Sequence, residues 1–487
     1  MAQLLQRPPS TLTAAIRLGW LAGVLLWVAL PARAQSWTYE AGISATAATE
    51  RTLPFWLATN RYGTVDPTSA NALASGRVGY ARRLSDRVDY TVGARVLARA
   101  SDNAAFYLHE LFGHVRYADL LLSAGLFEDQ YGMVDTRLSL GSMIWSRNTT
   151  PMPKIVVQTK GFITVPRTRE FLAVRARFGH GWFPRSAFVD RALLHEKYLY
   201  LRLFSEESPV RLFGGVIHNV VWGGVHPVEG DLATGAIDFV RVVMARAGDD
   251  LQFEADNSLG NTVAAYDTRA EIDLDRVDIA VYRQFYIETG SSLLFRNAID
   301  GLWGLRLDFK QPIGPFDAVL WEHANTKKQS QRAGTTDTRG RDTYYNNALY
   351  RDGWTYRGRT IGLPLLRTDG VRPGVINNIL VAHHVGVSGH LSPSFPVLLM
   401  ATYSRNYGAG NICADAACLN GTSEITDRRD QLALLVQLSA RPLREKNLYV
   451  DAAVAADVGP FAPESFGLSM GVRWTGVLNH SRPASRL

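Results

Sequence analysis

Cysteine is nearly absent from this chain: 487 residues contain two, Cys413 and Cys418. That excludes a disulfide-built scaffold and a cysteine-rich metal centre. The pair stands in NICADAACLN, and an exported chain permits a disulfide there. Cys413 and Cys418 are therefore a candidate disulfide pinning a loop. A zinc site would need more ligands than Asp415, the one nearby. Long hydrophobic runs are missing after Ala34, where no stretch approaches the roughly 18 apolar residues of a membrane-crossing helix. No stretch shows the apolar periodicity of a helix either. Strong net charge is also lacking. The formal balance is +7, and Arg7, Arg17 and Arg33 at the N-terminus supply three of those charges. With no basic tail, nucleic acid is excluded as a partner, although a basic interior would favour an acidic glycan.

Catalytic signatures are scarce. There is no serine nucleophile elbow, no Ser–His–Asp order and no phosphate-binding loop. His109-Glu110 with His114, and His195-Glu196-Lys197, invite a metalloprotease reading. The zinc motif needs H-E-x-x-H on a helix, so that both imidazoles share one face. On a strand, the odd spacing of His109 and His114 sends them to opposite faces, and His383-His384 fails the same way. No metal and no cofactor are expected. The many acidic residues leave a glycosidase-like carboxylate pair open.

What is present starts at the N-terminus. Arg7 and Arg17 precede the unbroken apolar run Leu18–Leu30, followed by Pro31 and Ala32-Arg33-Ala34. A basic region, an apolar core and an A-x-A site predict a secretory signal over residues 1–34, cleaved after Ala34. An exported chain without spanning helices is either soluble or a barrel of strands too short to look hydrophobic singly. Near-neutral mean hydropathy, 10% aromatics and 42 glycines favour the barrel.

Strand after strand repeats an alternating pattern. Val88, Tyr90, Val92, Ala94, Val96 and Ala98 oppose Asp89, Thr91, Gly93, Arg95 and Arg99, with Leu97 the exception. Twelve residues of period two exceed the usual five or six of a globular strand and suit a membrane-crossing one. Similar alternation runs through Leu172–Phe178, Val277–Ile287, Gly301–Phe309, Gln431–Ser439, Leu448–Val458 and Phe466–Trp474. Arginine and aspartate recur on the second face, which in a barrel is a water-filled lumen where opposite charges pair. The turns are unequal. Short ones include Gly314-Pro315, and long ones include Asn325–Arg341 and Tyr407–Arg429.

The most organised unit is Arg191–Gly224, two alternating strands joined by Glu206-Glu207-Ser208-Pro209 and ending His218-Asn219-Val220-Val221-Trp222-Gly223-Gly224. Leu199, Leu201 and Leu203 share one face, Tyr198, Tyr200 and Arg202 the other. LHEKYLYLRLF and GGVIHNVVWGG in this unit resemble the characteristic block of the Wzi-like capsule assembly family in its Bacteroidota form. LPFWLATNRYGTV at Leu53–Val65, LSAGLFEDQYG at Leu122–Gly132, LSLGSMIWSRNTTPMPKI at Leu138–Ile155, YYNNALYRDGWTYRGRTIGLPL at Tyr344–Leu365 and TYSRNYG at Thr402–Gly408 are similar to its other blocks, in order. The resemblance implies an all-β outer-membrane antiparallel barrel of roughly 18 strands. It also implies a lectin-like, non-catalytic role in holding or assembling capsular or exported polysaccharide at the cell surface. Two features depart from the family pattern. No amphipathic helix is visible to build the periplasmic bundle of better-known members, and the last good strand ends at Trp474 ahead of a polar tail.

The expected organisation is a signal peptide over 1–34, one barrel over 35–478 and a polar C-terminal tail over 479–487. Sugar binding needs flat aromatics to stack on C–H faces and planar polar groups to bond hydroxyls. His218, Asn219 and Trp222 form one candidate cluster; Tyr344, Tyr345, Asn346, Asn347, Trp354 and Tyr356 form the other. Expected partners are polysaccharide, outer-membrane lipid and, during biogenesis, the barrel-assembly machinery. A porin or solute transporter, and an outer-membrane enzyme acting on glycan or lipid, remain as alternatives.

Overall fold

The computed structural model describes residues 35–68, 70–248, 258–330, 342–370, 372–409, 427–443 and 447–479. The long strands are β1 (Gln35–Ala48), β2 (Asn71–Arg83), β3 (Val88–Ala100), β4 (Ala105–Tyr117), β5 (Leu120–Leu126) and β6 (Pro153–Thr159, resumed at Ile163–Thr164). They continue as β7 (Leu172–Trp182), β8 (Leu193–Leu203), β9 (Val210–Trp222), β10 (Asn261–Asp273), β11 (Val277–Ile287) and β12 (Gly301–Ile313). The last six are β13 (Phe316–Asn325), β14 (Leu380–Ser392), β15 (Phe395–Asn406), β16 (Arg429–Leu443), β17 (Leu448–Val458) and β18 (Ser465–Asn479). Each pairs antiparallel with its sequence neighbours, and β18 returns to β1 (Trp37 opposite Leu478, Thr46 opposite Ser469), closing an 18-strand barrel. Closure removes the free edges that would otherwise template aggregation.

The alternation read from sequence sets the two faces. In β8, Leu199 is 53% exposed and Leu201 42%, whereas Tyr198, Tyr200 and Arg202 are buried. The leucines face lipid and the tyrosines face the lumen. Leu97, the odd residue in β3, is fully buried because it points inward into packed lumen. Two inward glycines make room for rings on neighbouring strands. A Cβ at Gly215 would overlap the Tyr200 ring, and one at Gly304 the Tyr282 ring. Both chain ends of the barrel lie with the short turns, such as 314–315 and 393–394. In outer-membrane barrels that end is periplasmic and the long loops are extracellular. No helix among the described residues is long and apolar enough to cross a membrane; the strands do the crossing.

Two expectations are corrected. The lumen is not simply a water channel. Its extracellular half is filled by three inward-folded segments, residues 53–66, 127–152 and 342–379, whose apolar side chains form one continuous core with the inner wall. Burying that apolar surface against the wall is more favourable than hydrating it. A short amphipathic helix is also present, α2 (Ala236–Val243); the other helical turns are α1 (Phe55–Ala58) and α3 (Gly290–Leu293). α2 lies against the outside of the wall, where Phe239 and Val242 pack on Val220 and Trp222. β18 runs past Trp474 to Asn479, so the barrel continues beyond the last strongly alternating stretch. The expected signal peptide, the remainder of the polar tail, and Cys413 and Cys418 fall outside the described residues.

Candidate functional site

The extracellular plug is held by wall residues that accept hydrogen bonds from its backbone. Glu322 on β13 accepts from Leu140 N (2.7 Å), Ser139 Oγ (2.6 Å) and Tyr282 Oη (2.6 Å). Asp267 on β10 accepts from Met133 N (2.7 Å) and Tyr200 Oη (2.8 Å). Gln284 on β11 accepts from Met143 N (2.8 Å), and Asp457 on β17 from Phe55 N (3.0 Å). His384 on β14 bonds Leu138 O at 2.6 Å. A loop without regular structure has unpaired backbone N–H groups, and burying them requires acceptors. The wall supplies these from one strand after another. Gly304 on β12 fits this scheme, since its missing side chain lets Tyr282 reach across to Glu322.

Within the plug, aromatics carry the packing and their polar tips are satisfied. Tyr131 stacks on Trp145 (centroids 5.4 Å apart), and Trp354 meets Trp145 edge-on. Trp354 Nε1 donates to Ile144 O (2.7 Å), and Tyr345 Oη donates to Met143 O (2.5 Å) while accepting from Leu363 N. Tyr344 Oη donates to Asp300 (2.8 Å), and Tyr356 packs edge-on to Phe183. Asn346 exchanges two hydrogen bonds with Val375, and the Asn347 side chain accepts from Leu349 N and Tyr350 N, closing a local turn.

The nine sugar-contact candidates therefore separate. Tyr344, Tyr345, Trp354 and Tyr356 are buried in the plug, Asn346 and Asn347 are half-buried in its turns, and Asn219 faces it from the wall, donating to Tyr131 Oη at 2.7 Å. His218 and Trp222 point the other way, out through the wall, Trp222 under α2 and His218 beside His195. Period two accounts for this: Asn219 has the opposite facing to its neighbour His218 and to Trp222.

Carboxylates in the loops are also caps. Asp300 accepts from Lys328 N and Gln329 N; burial pushes its pKa up to about 6 despite those bonds. Glu288, which accepts from Thr343 N and Tyr345 N, is raised well above its ordinary value by burial and then by Asp342. Among the described residues, no three His, Cys, Asp or Glu side chains meet as a metal site.

The outer surface of the plug carries a further feature. Cations sit over aromatic rings at several loops: Lys327 over Tyr407 (4.3 Å), Arg351 over Phe188 (5.2 Å), Arg357 over Tyr356 (5.6 Å), and Arg367 over Phe55 and Phe461 (5.2 Å each). Lys327 and Arg357 are exposed, and the other two are half-buried. The adjacency of Tyr350 to Arg351 and of Tyr356 to Arg357 was a visible hint, but the partners Phe188, Tyr407 and Phe461 come from other loops.

The family model for capsule assembly protein Wzi matches residues 53–367. No curated protein sequence matches the chain. Among solved structures the chain is similar to Wzi of Escherichia coli, described as an outer membrane protein involved in group 1 capsule assembly and a carbohydrate-binding β-barrel. The identity is 14% and the TM-score 0.58, over 96% of this chain and 89% of that one. Lower similarity extends to Pseudomonas aeruginosa OccK5 (8% identity, TM-score 0.48, 91% of this chain and 98% of that one) and OpdQ (7%, 0.46, 91% and 98%). At 14% identity the likeness to the Escherichia coli protein is one of fold.

Proposed function

We propose, from the premise that the chain belongs to the Wzi family of capsule assembly proteins, that this outer-membrane barrel binds and retains capsular or exported polysaccharide at the cell surface without altering it chemically. The observation that carries the reading is the set of cation-over-aromatic pairs on the face of a plugged barrel. Each ring seats a cation at the loop surface, and the cation offers its charge to an acidic sugar. Each exposed ion pair of this kind is weak, at about 0–1 kcal/mol. A repeating polymer that engages several at once gains avidity from linkage alone.

In this reading Lys327, Arg351, Arg357 and Arg367 meet the polymer. Tyr344, Tyr345, Asn346, Asn347, Trp354 and Tyr356 act one step behind, keeping the loops that carry those cations in place, and Asn219 does so through Tyr131. Trp222 holds α2 on the wall, and His218 packs behind it against His195. Residues 1–34 serve export, the barrel-assembly machinery inserts residues 35–478 into outer-membrane lipid, residues 479–487 form a polar tail, and Cys413 and Cys418 pin the loop between β15 and β16. The filled extracellular half of the lumen weighs against a solute channel. The buried carboxylates are occupied, Glu322, Asp267 and Asp300 by backbone donors and Glu196 by Lys154 and Arg177, which weighs against a hydrolytic pair.

The test is retention. In cells deleted for the gene, wild-type protein should restore cell-bound polysaccharide, and Lys327→Glu/Arg351→Glu/Arg357→Glu should restore it less well at equal surface levels. Full restoration by the triple variant would overturn the assignment of these residues.

A further inference from the structure

Beneath the plug, the lumen holds a second feature that the surface reading does not use. A cavity of about 400 Å³ lies between the segment following α1 and the inner faces of β1–β3 and β16–β18. That volume is within the range of about 300–1,000 Å³ typical of small-molecule sites. Its lining is polar: Ser44, Ser75, Gln437, Ser439, Asp451 and Arg473 among others, with Arg61 reaching in from the plug. Its more solvated members, Arg473 (side chain 41% exposed) and its partner Glu40 (26%), lie toward the periplasmic end. Access is therefore from the periplasm, since the plug closes the other side.

Two ion pairs stand around this cavity, and two charged groups, Asp451 and Arg61, lie outside them. Arg473 meets Glu40 at 3.4 Å, Arg95 meets Glu128 at 2.7 Å, and Asp451 accepts from Ser439 Oγ at 2.5 Å. The Arg61 guanidinium makes no hydrogen bond and no ion pair among the described residues, and its buried Nε has no acceptor. The backbone that presents it is unusual as well. Asn60, Tyr62 and Gly63 all take positive φ (53°, 51° and 63°), and Thr64 bonds back to Arg61 O through both N (3.1 Å) and Oγ1 (2.8 Å). Two non-glycine residues in the left-handed region beside one side chain cost free energy, and such strain concentrates where function fixes a geometry. A half-buried guanidinium without a hydrogen-bonded counter-ion is likewise costly, since Asp451 acts on it only from a distance, and the cost is recovered when an anion bonds it.

We infer that this lumenal cavity is a binding site, open to the periplasm, for a carboxylated sugar residue such as a uronate, with Arg61 pairing the carboxylate and the surrounding hydroxyl and amide side chains bonding the ring hydroxyls. Guanidinium and carboxylate match as a two-pronged pair. The ligand class rests on the polysaccharide reading above, but the site is separate from the extracellular loops, so either can fail alone.

The experiment is calorimetric titration of the full-length barrel in detergent with galacturonate trisaccharide, its methyl ester and sodium acetate. Wild type should bind the acid at least tenfold more tightly than the ester. Arg61→Met should lose at least tenfold for the acid, and Ser75→Phe, which fills the cavity, should do the same. Retained folding is checked by the mobility shift of unheated protein on a denaturing gel, and if Arg61→Met does not fold, Ser75→Phe decides. The titrations are repeated in the Lys327→Glu/Arg351→Glu/Arg357→Glu background, which removes the outer cations; the preference for acid over ester and its loss on Arg61→Met should persist there. Equal affinity for acid and ester, unchanged affinity in Ser75→Phe, disappearance of the acid preference in the loop-variant background, or saturation by acetate at the same concentration would overturn the site; the last outcome means an adventitious anion only.

Discussion

Replacing Glu322 by alanine should unlock the plug. The carboxylate is fully buried and serves three donors: Leu140 N, Ser139 Oγ and Tyr282 Oη. Removing it leaves all three facing a small void in the wall. An orphaned buried donor costs about 1–3 kcal/mol, so even the low end totals about 3 kcal/mol. At about 1.4 kcal/mol per factor of ten, that is roughly a hundredfold rise in the open population of the segment around residues 138–143. The barrel itself should survive, because β13 keeps its ladders to β12 and β14. Amide hydrogen exchange read at Leu140 and Met143 should accelerate by about that factor, and planar-bilayer recordings should show openings that wild type lacks. Unchanged exchange at Leu140 together with unchanged conductance would refute the idea that wall acceptors hold the plug closed.

Two further outcomes follow from particular contacts. Asp300 is buried with its pKa raised to about 6, against about 3.9 in an unfolded chain, and Glu288 and Asp342 are displaced in the same direction. A raised carboxyl binds its proton more tightly when folded, so its stabilising effect is complete below the unfolded value and is lost as pH rises through about 6. Protection of Lys328, Gln329 and Thr343 amides, corrected for intrinsic rates, should therefore increase from pH 7.5 to pH 5, and Asp300→Asn should flatten the change; weaker protection at pH 5 would contradict it. Gly304→Val should displace the Tyr282 ring, with overpacking of this kind costing about 1–3 kcal/mol. Gly214→Val, on the outer face with open space around it, should be tolerated; folding yield measured by gel mobility shift separates the two.

The strands were legible because lipid on one side and protein on the other enforce period two. Val88–Arg99 read from sequence became Val88–Ala100, and the outward leucines of β8 fell where alternation put them. The single exception in β3, Leu97, marked a real feature, an apolar contact on the lumen side. The path of the plug was not legible. Loops carry no periodicity, and what anchors them is remote in sequence: Glu322 and Leu140 are 182 positions apart, Phe55 and Asp457 402. α2 escaped notice because Ala236–Val243 is short and rich in β-branched valine, which reads as readily as a strand. Its cover comes from His195, Trp222 and Val220 on two other strands. The aromatic clusters at Tyr344–Tyr356 were visible as composition, but composition cannot tell a ring that stacks on sugar from one that closes a plug. The cations above the rings were the missing half, and Arg61 stood inside a quoted motif without any sign that it would lack a partner.

A barrel that keeps polysaccharide on the cell must change how much of it is shed. The direct measurement is the ratio of cell-bound to shed polysaccharide in a deletion strain, with and without the restored gene. The account predicts that deletion moves polymer from the cell-bound fraction to the medium at unchanged total, that wild type reverses this, and that Lys327→Glu/Arg351→Glu/Arg357→Glu does so only in part. An unchanged ratio on deletion, or a fall in total polymer with no shedding, would contradict it.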